Sequence, residues 1–218
     1  MPETLQNTAT ASAVARALLE IGAVGVRADN PITFKSGIVS PVYVDNRRLP
    51  YHPAQWRVII EGFKSYIEEQ RQAFDVVAGV AVGGVPHASA LGYVLQCPSV
   101  FIRPQAKEHG TGKHVEGGEV AGKRVLLVED LISTGGSSLT ALKYLRGEGA
   151  IADTMLAIVT YDFAEARANF EAAGVIVRSL TTFPAILAEA IKMGRITPDE
   201  KAAVEDWFAD PHGWASRR

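Results

Sequence analysis

Glu129 and Asp130 stand side by side at the end of the apolar run Val125–Val128, and a loop containing Ser133, Thr134, Gly135, Gly136 and Ser137 follows at once. Glycines let backbone amides come close to a phosphate, and a helix beginning at the end of such a loop adds the positive end of its dipole. The hydroxyls of Ser133, Thr134 and Ser137 can donate to phosphate oxygens. Two carboxylates would repel that phosphate, so they must serve sugar hydroxyls or a cation. A ribose phosphate satisfies both halves of the segment. Helix capping alone would explain the glycines and one or two hydroxyls, but not paired acids ending an apolar strand.

Three further segments carry groups suited to a polyanion. Phe101–Gly118 is long, glycine-punctuated and locally basic, with Arg103, Lys107, His109, Lys113 and His114 against Glu108 and Glu116. A structureless loop above ~12 residues is usually a lid or a disordered piece, and residues 104–118 are read here as a mobile catalytic loop. Gly79–His87 follows a β-branched run with glycines that permit close backbone approach to a ligand. Ile32–Arg47 holds Lys35-Ser36-Gly37 and Ser40-Pro41, which by themselves read as turns.

The elements that must position these groups are legible from periodicity. Helices are expected over Thr8–Gly22, from Pro53 through Ile67, and over Val85–Leu95, Ser137–Gly147, Ala164–Ala173, Phe183–Met193 and Thr197–Ala209. Strands are expected at Asp75–Val82, Ser99–Ile102, Lys123–Glu129, Asp153–Tyr161 and Val175–Ser179, with short extended runs at Ile32–Phe34 and Val42–Val44. Nearly continuous apolar strands alternating with helices imply an α/β fold, a mostly parallel sheet flanked by helices. In such sheets ligands bind beyond the carboxyl ends of the strands, near a topological switch point. With no internal repeat or linker, residues 1–218 read as one domain, in which residues 1–50 form a small N-terminal cap, or hood, over the site.

Taken together, the four motifs resemble the type I phosphoribosyltransferases, over roughly residues 30–185 and in that family's order. The run from Arg103 through Lys107 and His109 to Gly110, and the hood segment with Lys35 and Tyr43, are similar to the orotate-specific members. The resemblance implies that Glu129 and Asp130 hold the ribose hydroxyls of phosphoribosyl pyrophosphate near a Mg2+ held mainly by the substrate. Ser133–Ser137 would wrap its 5′-phosphate, and Val82 and Gly83 would bind pyrophosphate through the main chain. Lys107 would act on the leaving group with Arg103 and His109, from a loop donated across a homodimer interface. Lys35 would approach both the pyrophosphate and orotate, and Tyr43, Val44 and Thr134 would meet orotate. Phe163 stands where some relatives carry an arginine for the orotate carboxylate, and Arg47 is the substitute this chain offers.

Composition narrows the alternatives. A net charge of −2 gives no general attraction to nucleic acid or anionic membranes. No run approaches the ~18–20 apolar residues of a membrane span, and Met1–Thr10 lacks the features of a signal peptide, so a cytoplasmic location is expected. Cys97, the single cysteine, reads as an inert buried thiol. Gly117–Arg124 nearly spells a nucleotide-binding P-loop but puts Arg124 where a hydroxyl is needed, and it precedes a strand. Two rivals stay open: transfer to uracil or a purine, and a regulatory protein that keeps the ribose-phosphate site as a sensor and binds RNA or DNA. The hood segment argues against the first. Lys35, Arg103, Lys107 and His109, with the lack of a basic face, argue against the second.

Overall fold

The computed structural model describes residues 8–104 and 113–217. Helix α1 (Thr8–Glu20) leads into a hood of four short strands, β1 (Val24–Val26), β2 (Ile32–Thr33), β3 (Val39–Ser40) and β4 (Val42–Val44), and a 3-10 turn at Asn46–Tyr51. The main body alternates: α2 (Pro53–Glu69), β5 (Val76–Val80), α3 (Gly84–Leu95), β6 (Ser99–Ile102), β7 (Val115–Glu116), β8 (Arg124–Ile132), α4 (Gly136–Gly147), β9 (Ile151–Thr160), α5 (Ala164–Ala172) and β10 (Ile176–Thr182). Helices α6 (Phe183–Lys192) and α7 (Pro198–Ala209) and a 3-10 turn at Trp214–Arg217 follow.

The large sheet has the order β10-β9-β8-β5-β6-β7 and is parallel except for β7. Side chains alternate across it as the strand period requires. Leu126 and Val128 join the core beneath α1, α2, α3 and α6, while Val125 and Leu127 join the core beneath α4 and α5. This is why the strand sequences are apolar throughout. The chain winds outward from β5 in one direction to β6 and in the other through β8 to β10, so the switch point lies between β5 and β8. Glycines let the strand–helix joints there close tightly. A methyl on Gly84 would collide with the Val128 carbonyl oxygen, and one on Gly79 would lie 2.8 Å from the Val85 Cα.

Expected and observed elements differ where they are short. β1 and β3 are absent from the sequence reading, and the two extended runs at residues 32–34 and 42–44 do not pair with each other. β2 pairs with β3, and β4 pairs with β1. Two- and three-residue strands carry no periodicity to read, and partner choice is a tertiary matter. The long loop is likewise shorter than expected. Residues 115–116 form β7, antiparallel to β6, with Val115 buried.

His87, in the first turns of α3, is fully buried, and the Trp56 indole N–H donates to its Nδ1 at 2.9 Å. Burial holds its pKa down from the ordinary 6.5 to about 4. The native state thus refuses a proton that the unfolded chain accepts below 6.5, and the stability this represents is lost as the pH falls from 6.5 towards 4. The loss is on the order of 3 kcal/mol at ~1.4 kcal/mol per pH unit. Denaturant melts of the protein and of His87→Asn between pH 7 and 4 check this. The variant is expected to lose most of the slope; an unchanged slope would contradict the assignment.

Candidate active site

The acids at the end of β8 are unlike ordinary surface carboxylates. Glu129 is 5% exposed. Its Oε1 accepts the Asp130 N–H at 3.1 Å, and its Oε2 accepts the Ser138 hydroxyl at 2.9 Å. Burial, and then the neighbouring Asp130 charge, push its pKa well above the carboxylate range. Asp130 is half-buried, and its Oδ1 accepts the Leu131 N–H at 2.9 Å. Burial raises its pKa too, while its hydrogen bonds and the charge of Arg47 oppose the rise.

The β5–α3 joint abuts this pair. A methyl on Gly83 would overlap both Asp130 carboxylate oxygens, so glycine is required there for the main chain to reach the acid. The Ala81–Val82 peptide is cis, and the Val82 side chain is 76% exposed. Gly83 thus brings main chain without a side chain against Asp130, and Val82 next to it in sequence offers no cation.

Beyond Leu131 the chain turns into α4. Gly135, at φ +83°, precedes the helix, and no side chain caps the helix amides. A side chain at Gly135 would also lie 2.8 Å from the Phe170 ring, which packs under the loop. The first-turn amides of a helix have no partners within it, and here they border a cavity of about 380 Å3 lined by Ser133–Ser138, Ala81, Arg103 and Lys35. Serine and threonine hydroxyls, uncapped amides and two cations around one concavity suit a phosphate. A second cavity, of about 420 Å3 between α5 and β10, also carries hydroxyls and two cations, Arg167 and Arg178, but none of Ser133–Ser138, Arg103 or Lys35.

The phosphoribosyl transferase domain model matches residues 47–176, more than half of the chain. An orotate phosphoribosyltransferase of Levilactobacillus brevis is 37% identical over 206 residues, covering 94% of this chain and 98% of that protein. The chain belongs to the orotate phosphoribosyltransferase family. Among solved structures, the orotate phosphoribosyltransferase of Aeropyrum pernix superposes with a TM-score of 0.72 at 30% identity, over 84% of this chain and 99% of that one. Leishmania donovani UMP synthase gives a TM-score of 0.80 at 27% identity, over 91% of this chain but only 42% of that longer one.

As an orotate phosphoribosyltransferase, the chain can be read residue by residue. The hood brings Lys35 to the start of α4, its ammonium 3.4 Å from the Ser137 hydroxyl across 102 residues of sequence. Arg103 lines the cavity and is held by Glu116 at 2.8 Å. Tyr43, Val44 and Arg47 do not line it. β4 turns Tyr43 and Val44 to opposite faces: Val44 packs on the core, while the Tyr43 ring lies against Gly25 with the Arg27 guanidinium 4.8 Å above it. Arg47 is exposed and bonds Asp45 at 2.7 Å. Phe163 sits in an aromatic cluster, 5.6 Å from Tyr161 and 5.8 Å from Trp207 between ring centroids. Lys107 and His109 lie outside the described residues.

Two residues of the site escaped the sequence reading. Asn46 is fully buried and donates to the Asp130 carbonyl at 2.7 Å, tying the hood to the acids. Nothing local distinguishes it from a turn asparagine. Ser138 was detectable in principle, because it extends the Ser/Thr/Gly loop by one residue; it borders the cavity but gives its hydroxyl to Glu129. Among the described residues no three histidines, cysteines or acids gather to hold a metal by themselves. Two carboxylates beside a phosphate site still suit a Mg2+, which keeps water and substrate oxygens as most of its ligands.

Proposed function

We propose that the chain is the pentosyltransferase that moves the 5-phosphoribosyl group from phosphoribosyl pyrophosphate to orotate, in cytoplasmic de novo pyrimidine synthesis. The observation that carries this reading is the Glu129–Asp130 pair running directly into an uncapped, hydroxyl-rich helix start at the switch point of the sheet. The bond from ribose C1 to the pyrophosphate oxygen breaks and the bond from C1 to orotate N1 forms, the N1 proton passing to the departing pyrophosphate, giving orotidine 5′-monophosphate and pyrophosphate. The ribose passes through oxocarbenium character, so no protein nucleophile is required.

Glu129 and Asp130 accept the ribose hydroxyls and stabilise its developing positive charge. Ser133, Thr134, Gly135, Gly136 and Ser137 bind the 5′-phosphate, and the Val82–Gly83 backbone binds pyrophosphate. When bound near Glu129 and Asp130, Mg2+ supplies charge to offset that of the diphosphate. Lys107, with Arg103 and His109, stabilises pyrophosphate as it leaves, from a loop (residues 104–118) donated by the partner in a homodimer. Lys35 contacts both phosphoribosyl pyrophosphate and orotate, and with Tyr43, Val44 and Thr134 holds orotate beneath a cap made by residues 1–50 of a single domain spanning 1–218. Catalysis is then positioning plus electrostatics.

With Phe163 packed among aromatic rings, Arg47 is assigned to the orotate carboxylate. Its neighbour Asn46 is anchored on Asp130, and Arg47 itself is close enough to influence that acid's charge. Arg47→Ala is expected to raise the KM for orotate ~10-fold, as for a lost charge-assisted hydrogen bond, with little change in the KM for phosphoribosyl pyrophosphate. Equal rises in both would refute the assignment. The activity itself is tested by following loss of orotate absorbance with phosphoribosyl pyrophosphate and Mg2+, beside uracil, hypoxanthine and a chelated control. Turnover restricted to orotate and dependent on Mg2+ is expected; turnover of another base instead would overturn the reading.

A further inference from the structure

The turn that carries Lys35 is held from outside the hood. β2 and β3 contribute two residues each and pair only with one another. A lone hairpin is marginal in water even with longer strands. Yet Lys35 and Ser36 at its tip line the phosphate-loop cavity. Within the turn, the Phe34 N–H donates to the Ile38 carbonyl at 2.8 Å and the Gly37 N–H to the Phe34 carbonyl at 2.9 Å. These bonds set the shape of the turn but not its direction relative to the sheet.

Trp207, on α7, supplies the direction. Its indole N–H donates to the Val39 carbonyl at 2.9 Å, and its ring meets Phe34 nearly edge-on with centroids 6.1 Å apart. Phe34 immediately precedes Lys35, and Val39 begins the returning strand, so one side chain grips both sides of the turn. Trp207 is fully buried in a cluster with Ile38, Val42, Tyr161 and Phe183. α7 is itself well started, since Thr197 and Glu200 form a reciprocal capping box. Both the hairpin and α7 lie outside residues 47–176, the part matched by the family model.

We propose that Trp207 is a positioning residue for phosphoribosyl transfer, acting through the hairpin to hold Lys35 over the phosphate loop without touching substrate. This rests on the role proposed above for Lys35. The test is a double-mutant cycle of the full-length chain, Lys35→Ala against Trp207→Phe, reading kcat/KM for both substrates and the melting midpoint. Phenylalanine keeps an aromatic ring and removes the N–H donor. Lys35→Ala alone is expected to lower kcat/KM ~10-fold or more, Trp207→Phe ~3- to 10-fold, and the double variant no more than ~2-fold beyond Lys35→Ala. Phe34→Leu, which removes the other grip on the turn, is expected to behave the same way and serves if Trp207→Phe does not fold. Losses that simply multiply would overturn the proposal and leave Trp207 a stability residue, whatever the midpoints do. If Lys35→Ala in the otherwise natural chain changed neither substrate's kinetics, the role of Lys35 would fail, and the positioning role with it.

Discussion

Lys107→Ala is expected to slow turnover by ~10² or more while changing the KM for either substrate much less. Departing pyrophosphate concentrates negative charge in the transition state, and one well-placed cation in a water-poor site is worth ~10²–10³ in rate. Binding of the ground state draws on the phosphate loop and Mg2+ as well, so affinity survives the loss. Equal losses in kcat and in affinity would refute the leaving-group role. The same variant tests the donated loop. Mixed with Asp130→Asn and allowed to exchange subunits, half of the dimers become heterodimers, each with one site that has both Asp130 and a partner's Lys107. Activity is then expected to recover to about a quarter of that of the natural protein. No recovery, with exchange verified, would mean that each loop serves its own site.

Glu129→Gln is expected to move stability and activity in opposite directions. In the free protein the Glu129 carboxyl is buried, and its pKa is raised first by desolvation and then by Asp130. The native state therefore holds a proton that the unfolded chain releases above ~4.5, and stability declines as the pH rises through that value and beyond. Glutamine removes the decline; its carbonyl oxygen can still accept the Asp130 N–H, while its amide group donates to the Ser138 oxygen in a bond of reversed direction. The melting midpoint at pH 7–8 should rise, by ~2–4 °C for each kcal/mol in a chain of this size. Activity should fall, by ~10-fold or more, because a neutral amide opposes developing positive charge on the ribose less well than a carboxylate. A lower midpoint, or full activity, would show that Glu129 is not a destabilising charge kept for the reaction. The effect is opposite in sign to that of His87, whose contribution is lost as the pH falls below 6.5. The two slopes overlap between ~4.5 and 6.5, so each is resolved only against its own variant.

Much of this protein is written locally. Val125–Ser138 is one contiguous stretch, so the apolar strand, the paired acids, the hydroxyl loop and the helix start could all be read in order. α4 starts within one residue of that reading, while β8 continues three residues past Glu129, to Ile132, because its backbone goes on pairing with β9. The buried strands β5, β6, β8 and β9 were legible for the same reason, since burial on both faces demands unbroken apolar runs. Even the start of α7 was marked by Thr197, Pro198 and Asp199.

What the tertiary structure decided are the contacts between distant segments. Asn46 meets Asp130 across 84 residues, Lys35 meets Ser137 across 102, and Trp207 meets Val39 across 168. Periodicity and capping report only on neighbours within a few residues, because they arise from backbone hydrogen bonds and side-chain spacing along a single element. Which hood strand pairs with which, whether Arg103 finds Glu116, and what steadies the Lys35 turn depend on how the two sheet faces, the hood and α7 pack at once. The sequence by itself determined which groups stand on β8 and in the loop that follows it. Only the packed chain decided how the hood is aimed at it, because a two-residue strand carries too little pattern and too little buried surface to choose its own place.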